Sequence, residues 1–233
     1  MPLLEVKGLS KEFRAGFLGG RRVQALQEVD IELGRGETLG LVGPSGSGKS
    51  TLGRCIMRLI EPDRGEVWLD GRELTSLRGR EMFSLAMDIQ MVFQNPEGSF
   101  DPRMRLYDSL AEPLRVHPSG DDEKERIMDM VGLVNLNQEL LGRYPHQLSG
   151  GQLQRASLAR AMILEPKIVV ADEPTSMLDV LVQAQMLDLM REVQGTTGVS
   201  YLFICHDHRV VEHMSDSVVR MEGGRIVDGV EAR

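Results

Sequence analysis

One eight-residue stretch restricts the folds open to this chain more than any other: Gly43-Pro44-Ser45-Gly46-Ser47-Gly48-Lys49-Ser50, followed by Thr51. Before it, Thr38–Val42 is an apolar run bounded by glycines, the pattern of a buried strand. After it, Leu52, Cys55, Ile56, Leu59 and Ile60 recur at helical spacing, which predicts a helix burying one face as far as Ile60, with Pro62 and Gly65 ending it. Between strand and helix, Gly43, Gly46 and Gly48 let successive backbone N–H groups turn towards one point, where the helix N-terminus adds positive potential. Such a loop cradles phosphate oxygens. Lys49 is placed to reach the β- and γ-phosphates of a nucleoside triphosphate, and Ser50 to offer its hydroxyl to Mg²⁺. Ser45, Ser47 and Thr51 line the same loop. A plain Gly/Ser-rich turn with an exposed lysine is the alternative, and the strand before and helix after argue against it.

A second polar group ends another apolar run. Residues 168–171 read as a buried strand that finishes in Asp172-Glu173, and such strand ends open where ligands bind in an α/β sheet. Next to a phosphate loop, Asp172 is the candidate to hold Mg²⁺ through a water, and Glu173 to polarise an attacking water as general base. Alone, the pair also fits a capped strand followed by a turn. His206, after the strand at 201–205, and Gln94, after 90–93, carry only the local signal of a solvated strand end. Leu148-Ser149-Gly150-Gly151-Gln152 precedes a helix predicted over 152–164 and offers a second anion-binding helix start by the same physics as the first. Two such starts in one chain are explained by a shared site, in which the second loop closes on nucleotide held by another subunit.

The rest of the chain gives the frame. Strands are predicted at 3–9, 23–33, 66–69 and 89–93, with a glycine-rich loop or wide hairpin end at 15–22. From 95 to 148 the pattern turns helical, with 123–131 the clearest helix and prolines at 96, 102, 113, 118 and 145 as punctuation. A helix at 180–194, a strand at 199–205, a short helix at 210–215 and a hairpin closing through Glu222-Gly223-Gly224 follow. This order reads as an α/β core with an opening antiparallel sheet, interrupted by a helical insert. The net charge of −8 argues against nucleic acid as the main partner. Cys55 and Cys205 are far apart and lack metal-ligand spacing, so two buried reduced thiols are expected. The sequence shows neither a bilayer-spanning apolar run nor a signal-peptide layout at Met1–Lys7, and a cytosolic chain is expected.

Leu-Ser-Gly-Gly-Gln at 148–152, with the phosphate loop about 100 residues before it and Asp172-Glu173 about 20 after it, resembles an ABC transporter ATP-binding subunit over essentially the whole chain. The resemblance implies a P-loop NTPase core, a RecA-like mixed sheet with an antiparallel β subdomain, in 1–94 and about 165–233. An α-helical subdomain at about 95–164 would interrupt it and carry the signature motif. ATP and Mg²⁺ are the implied cofactors. Gln94 falls at the family's Q-loop, which adds it to Ser50 and Asp172 as a metal-facing residue. Ser176-Met177-Leu178-Asp179 falls at the D-loop, with Asp179 towards the nucleotide, and His206 at the switch histidine. Lys49, Gln94, Glu173 and His206 are thereby the implied catalytic set, completed by Ser149, Gly150, Gly151 and Gln152 of a second subunit. Phe13 is the first candidate to stack on adenine and Phe17 the second. Met177 departs from the alanine commoner in the family's D-loop.

Ile89-Gln90-Met91-Val92-Phe93-Gln94-Asn95-Pro96, Asp101-Pro102-Arg103-Met104, Ala111-Glu112-Pro113-Leu114 and Tyr144-Pro145-His146-Gln147-Leu148-Ser149 are similar to the peptide and nickel importer branch. The short stretch after the closing hairpin favours a nickel or metal-chelate type over a longer dipeptide type. The resemblance implies two membrane-spanning permease subunits as partners, a homo- or heterodimer with a second ABC ATPase, and an extracytoplasmic solute-binding protein acting indirectly. It places the chain peripherally on the cytoplasmic face of the membrane, with the stretch from Gln94 to about Leu114 receiving the permease. A regulatory ATPase that moves a membrane protein without moving solute is the competing reading. DNA-repair members would need a long coiled-coil or zinc insert, which the sequence does not contain.

Overall fold

The structure is a computed structural model that describes residues 1–15, 21–118, 120 and 122–231. In chain order it runs β1 (Leu4–Ala15), β2 (Arg21–Leu33), β3 (Thr38–Val42), α1 (Lys49–Ile56), β4 (Arg64–Leu69), β5 (Arg72–Glu73), α2 (Arg80–Asp88), β6 (Ile89–Val92), α3 (Leu106–Val116), α4 (Glu123–Leu133), α5 (Gly150–Met162), β7 (Ile168–Asp172), α6 (Val180–Thr197), β8 (Ser200–Cys205), α7 (His208–Met214), β9 (Ser217–Glu222) and β10 (Arg225–Glu231). Short 3₁₀ turns occupy Glu97–Ser99, Gln138–Gly142 and Pro145–Gln147. The chain divides into two compact units, Met1–Phe83 with Ser200–Arg233, and Ser84–Val199. Among the described residues no helix is long and apolar enough to cross a membrane.

In the first unit, β1, β2, β4 and β5 form an antiparallel sheet in the order β2-β1-β4-β5. Its apolar face is supplied by Leu4, Val6 and Leu9 of β1, Leu26, Val29 and Ile31 of β2, and Val67 and Leu69 of β4, all buried. Irregularities in the β1–β2 register between Val6 and Glu12 interrupt strict alternation there. β3 lies between β8 and β9 and runs parallel to both, while β10 pairs antiparallel with β9. Every residue of β3 and β8 is buried, as parallel strands covered on both faces require. Helix α7 sits flush on β3, since a Cβ at Gly40 would fall 2.3 Å from Val211 Cγ1. The β9–β10 turn uses Gly223 and Gly224 at φ of 53° and 83°, the left-handed pair a tight hairpin needs.

In the second unit β6 and β7 pair in parallel, Ile89 opposite Ile168 and Val92 opposite Ala171. Helices α3 to α6 accompany them. Polar caps fix three of these helices. Asp122 accepts the Lys124 and Glu125 N–H groups, Ser149 accepts that of Gln152, and Asp179 accepts those of Leu181 and Val182. Gly198, at φ of 73°, ends α6.

Several sequence expectations are corrected. The helix after the phosphate loop stops at Ile56 rather than Ile60, because Arg58 takes a left-handed backbone (φ 58°) and turns the chain away. Leu52, Cys55 and Ile56 are buried as expected, whereas Leu59 is 58% exposed. Pro113 does not break the chain: α3 passes through it, with Leu106, Leu110, Ala111 and Leu114 buried. Its position in the final turn limits the loss to the hydrogen bond that the Ser109 carbonyl would have accepted. No element is read from the sequence over 80–88, yet α2 forms there; only its Leu85 is buried, so its periodic signal is weak. Cys55 and Cys205 are both buried and in no disulfide, and burial pushes Cys55 up to about 11.

Tyr201 is fully buried in β8, and its hydroxyl has no partner among the described residues. Burial pushes its ionisation up, so it stays neutral. An unpaired buried hydroxyl costs ~1–3 kcal/mol. Tyr201→Phe is therefore expected to leave the melting temperature unchanged or raise it by a few degrees, read by calorimetry; a fall of more than ~4 °C would contradict this.

Candidate functional site

The phosphate loop takes its shape from two positions with no room for a side chain. A Cβ at Gly43 would lie 2.1 Å from the Met221 carbonyl oxygen, and one at Gly48, at φ of 110°, would lie 2.4 Å from that of Ala25. The Ser47 N–H donates to the Pro44 carbonyl at 3.2 Å, and the Ser47 carbonyl accepts from the Gly224 N–H at 2.9 Å. These bonds pin the loop at both sides. Helix α1 starts from Gly48 without a side-chain cap, unlike α4, α5, α6 and α7. The start of such a helix carries positive potential that favours an anion.

Lys49 is buried, and its Nζ donates to the Gly43 and Pro44 carbonyls at 2.7 and 3.0 Å. The ammonium is thus held across the loop. Ser45 and Gly46 are exposed and Ser50 and Thr51 half-buried, whereas Ser47 Oγ is buried with no partner among the described residues. A left-handed glycine turn into an uncapped helix start, a fixed cation and the unpaired Ser47 hydroxyl together suit a phosphorylated anion.

In the second unit, all of β7 is buried up to Asp172, whose side chain is 3% exposed. Glu173 follows at φ of 49°, a left-handed conformation that costs a non-glycine residue about 1–2 kcal/mol. The turn after it is tied back: the Ser176 N–H and Oγ both donate to the Glu173 carbonyl, at 3.3 and 3.1 Å. Gln94, just past β6, donates its Nε2 to Glu173 Oε2 at 3.0 Å. The two residues are 79 apart in sequence, and the parallel pairing of β6 with β7 brings them together. A carboxylate at a strained strand end, oriented by an amide, is an arrangement suited to directing a water.

The start of α5 is in the same unit. Ser149 Oγ accepts from the Gln152 N–H at 3.3 Å, and Gln152 Oε1 accepts from the Ser149 N–H at 3.0 Å. Gln152 is therefore engaged in a reciprocal cap rather than pointing outward. Gly151 is packed: a Cβ there would fall 2.7 Å from Val182 Cγ1 on α6. The sequence alone does not show this second reason for glycine. Asp179, read as facing nucleotide, caps α6 through Oδ1 at 3.1 and 3.0 Å from two N–H groups.

In the first unit, His206 is exposed at the end of β8. Phe13, opposite Val23, is 38% exposed, with Lys11 Nζ 5.6 Å from its ring centroid. Phe17 lies outside the described residues. Residues that sequence reasoning missed are those that support others: Thr175, buried and accepting from Gln183 Nε2 at 3.0 Å, and Arg160, treated below. Neither carries a local motif.

Gly48→Ala places a methyl group against the Ala25 carbonyl and forces an unfavourable φ. It is expected to weaken nucleoside triphosphate binding at least about tenfold, read by titration with a fluorescent nucleotide; wild-type affinity would contradict the packing argument.

The family model described as ABC transporter matches residues 26–176. The oligopeptide transport ATP-binding protein OppF of Streptococcus mutans is 43% identical over 229 residues, covering 97% of this chain and 74% of that protein. The putative oligopeptide transport ATP-binding protein YkfD of Bacillus subtilis is 42% identical over 235 residues, covering 100% and 71%. The glutathione import ATP-binding protein GsiA of Pectobacterium atrosepticum is 44% identical over 233 residues, but this chain spans only 37% of it. Among solved structures, the ATP-binding cassette MJ0796, a dimer in a post-hydrolysis state bound to ADP and phosphate, superposes with a TM-score of 0.88 at 27% identity, covering 99% of each chain. Family match, relatives aligned over nearly all of this chain, and fold agree, and the chain belongs to the ABC transporter family.

Proposed function

We propose that this chain is the ATP-binding and ATP-hydrolysing subunit of an ABC importer for peptide-like solutes. The observation that carries the catalytic part is Glu173, held at the end of β7 and oriented by Gln94 at 3.0 Å. In this reading Lys49 and the amides of 43–51 bind the β- and γ-phosphates, and Phe13 stacks on adenine. Glu173 takes a proton from the attacking water, Gln94 orients Glu173, and His206 contacts the γ-phosphate side. Catalysis is then positioning and electrostatics around an in-line water.

Mg²⁺ fits the donors present. Ser50, Asp172 and Gln94 are hard oxygen donors, and among the described residues no group of three His, Cys, Asp or Glu would hold a metal unaided. That matches an ion that rests largely on phosphate and water oxygens, with one or two protein ligands. When bound, it neutralises charge developing on the phosphates.

Two chains, identical or sister, close head to tail, so that Ser149, Gly150 and Gly151 of one complete the phosphate site of the other. Support comes from the exposed N-terminus of α5 and from Met177, Val180 and Leu181, apolar residues that are 69%, 82% and 69% exposed on the segment whose Leu178 and Val182 flank Gly150 and Gly151. The similar cassette MJ0796 was solved as a dimer. Closure drives two membrane-spanning permeases, which take solute from an extracytoplasmic binding protein; the ATPase sits peripherally on the cytoplasmic face. The relatives named above are an oligopeptide and a glutathione system, which supports a peptide-type solute over a nickel or metal chelate.

Glu173→Gln is expected to retain ATP binding while turnover falls at least ~10²-fold, the lower range for losing a positioned base. Single-turnover hydrolysis and a nucleotide titration measure the two separately. Near wild-type turnover would remove Glu173 from its role.

A further inference from the structure

Arg160 projects from the last turn of α5 and grips two other elements of the same unit. Its Nη1 donates to the Ser99 carbonyl, and its Nη2 donates to Glu112 Oε2 of α3 at 2.6 Å. Its guanidinium carbon lies 5.7 Å from the centroid of the buried Phe100 ring. A planar fork of donors suits this three-way contact, and a lysine cannot reproduce it.

The segment it holds begins at Gln94. Asn95 Oδ1 accepts from the Glu97 N–H at 3.0 Å, the Pro96 carbonyl from the Ser99 N–H at 3.0 Å, and the Glu97 carbonyl from the Phe100 N–H at 3.3 Å. Residues 95–100 are thus a compact turn, with Gln94 at one end and Arg160 on the other. Pro96 and Phe100 are buried and anchor the two ends of that turn, and the stretch between them borders open space. A cavity of about 200 Å³, lined by Gln90, Phe93, Ser99, Pro113, Ser157 and Arg160, lies beside it, and Ser99 Oγ is buried without a partner among the described residues. Where packing leaves space, the hydrogen bonds of Arg160 set the position of the turn. At the other end, α5 is a continuous helix from Gly150 to Met162, and a rise of about 1.5 Å per residue sets its start about 15 Å from Arg160.

We propose that Arg160 is a positioning residue for ATP hydrolysis. It pins the turn after Gln94 to the helix that begins at Ser149, so that the carboxylate-orienting amide and the anion-binding helix start move as one body. The role rests on the ATPase reading above. Arg160 touches neither nucleotide nor water in this account, and acts through Gln94 and Ser149.

The test uses amide hydrogen exchange of the full chain, at a concentration where sedimentation shows monomers, with Glu173→Gln as the background that preserves ATP. MgATP is expected to slow exchange in both 95–100 and 149–155. With Arg160→Ala added, ATP affinity stays within about twofold and 95–100 still responds, but 149–155 does not. Arg160→Lys gives a partial response at 149–155. In otherwise wild-type chain, Arg160→Ala lowers kcat about tenfold with KM for ATP unchanged. An equal response at 149–155 without Arg160 overturns the proposal. So does a variant whose ATP affinity and kcat fall together with its melting temperature, which marks a merely structural clasp. Failure of MgATP to alter either segment in the background chain counts against the ATPase reading itself, and the positioning role falls with it.

Discussion

The backbone at Gly48 is the constraint on which the phosphate loop depends. A left-handed φ at that residue, with the Ala25 carbonyl where a side chain would be, sends the chain from β3 into α1 with no side-chain cap on the helix start. The usual remedy, a Ser, Thr, Asp or Asn cap, is used at four other helices of the chain and not at this one. An uncapped helix start of this kind suits an anion. Lys49 depends on the same geometry, since its ammonium bridges the Gly43 and Pro44 carbonyls only because the loop folds back over it.

Within the second unit, the Gln94–Glu173 pair rests on strand pairing. Gln94 and Glu173 meet because β6 and β7 run parallel in register, which places their C-terminal ends together. Glu173 accepts a strained backbone there, and the two bonds from Ser176 to its carbonyl hold the strain in place. The start of α5 is shaped by different forces. Its reciprocal Ser149–Gln152 cap and the tight approach of Gly151 to Val182 leave a polar, exposed helix terminus on the surface of its unit. An anion-binding terminus turned outward is what a site shared between subunits requires.

Much of this was legible in the sequence, for a physical reason. Buried parallel strands such as β3, β7 and β8 are unbroken apolar runs, and glycines in a phosphate-binding turn cannot be exchanged, so both leave strong local marks. What stayed hidden is non-local. The stop of α1 at Ile56 depends on the left-handed Arg58, which apolar spacing through Leu59 and Ile60 does not reveal. The continuity of α3 through Pro113 depends on how late in the helix the proline falls. The clasp of Arg160 on Ser99 and Glu112 joins residues with no motif between them. His206 and Gln94 were weak as isolated residues and gained meaning from the order of the motifs around them.

The central claim is that each ATP site is assembled from two chains, and a mixing experiment tests it most directly. Lys49→Ala disables the phosphate loop, and Ser149→Glu disables the start of α5. Each variant alone is expected to be inactive in ATP hydrolysis. When the two are mixed, a shared site predicts recovered activity, because the heterodimer holds one intact loop facing one intact helix start. A mixture as inactive as its components, although sedimentation shows the two chains associating, would contradict the shared site and return the chemistry to a single chain.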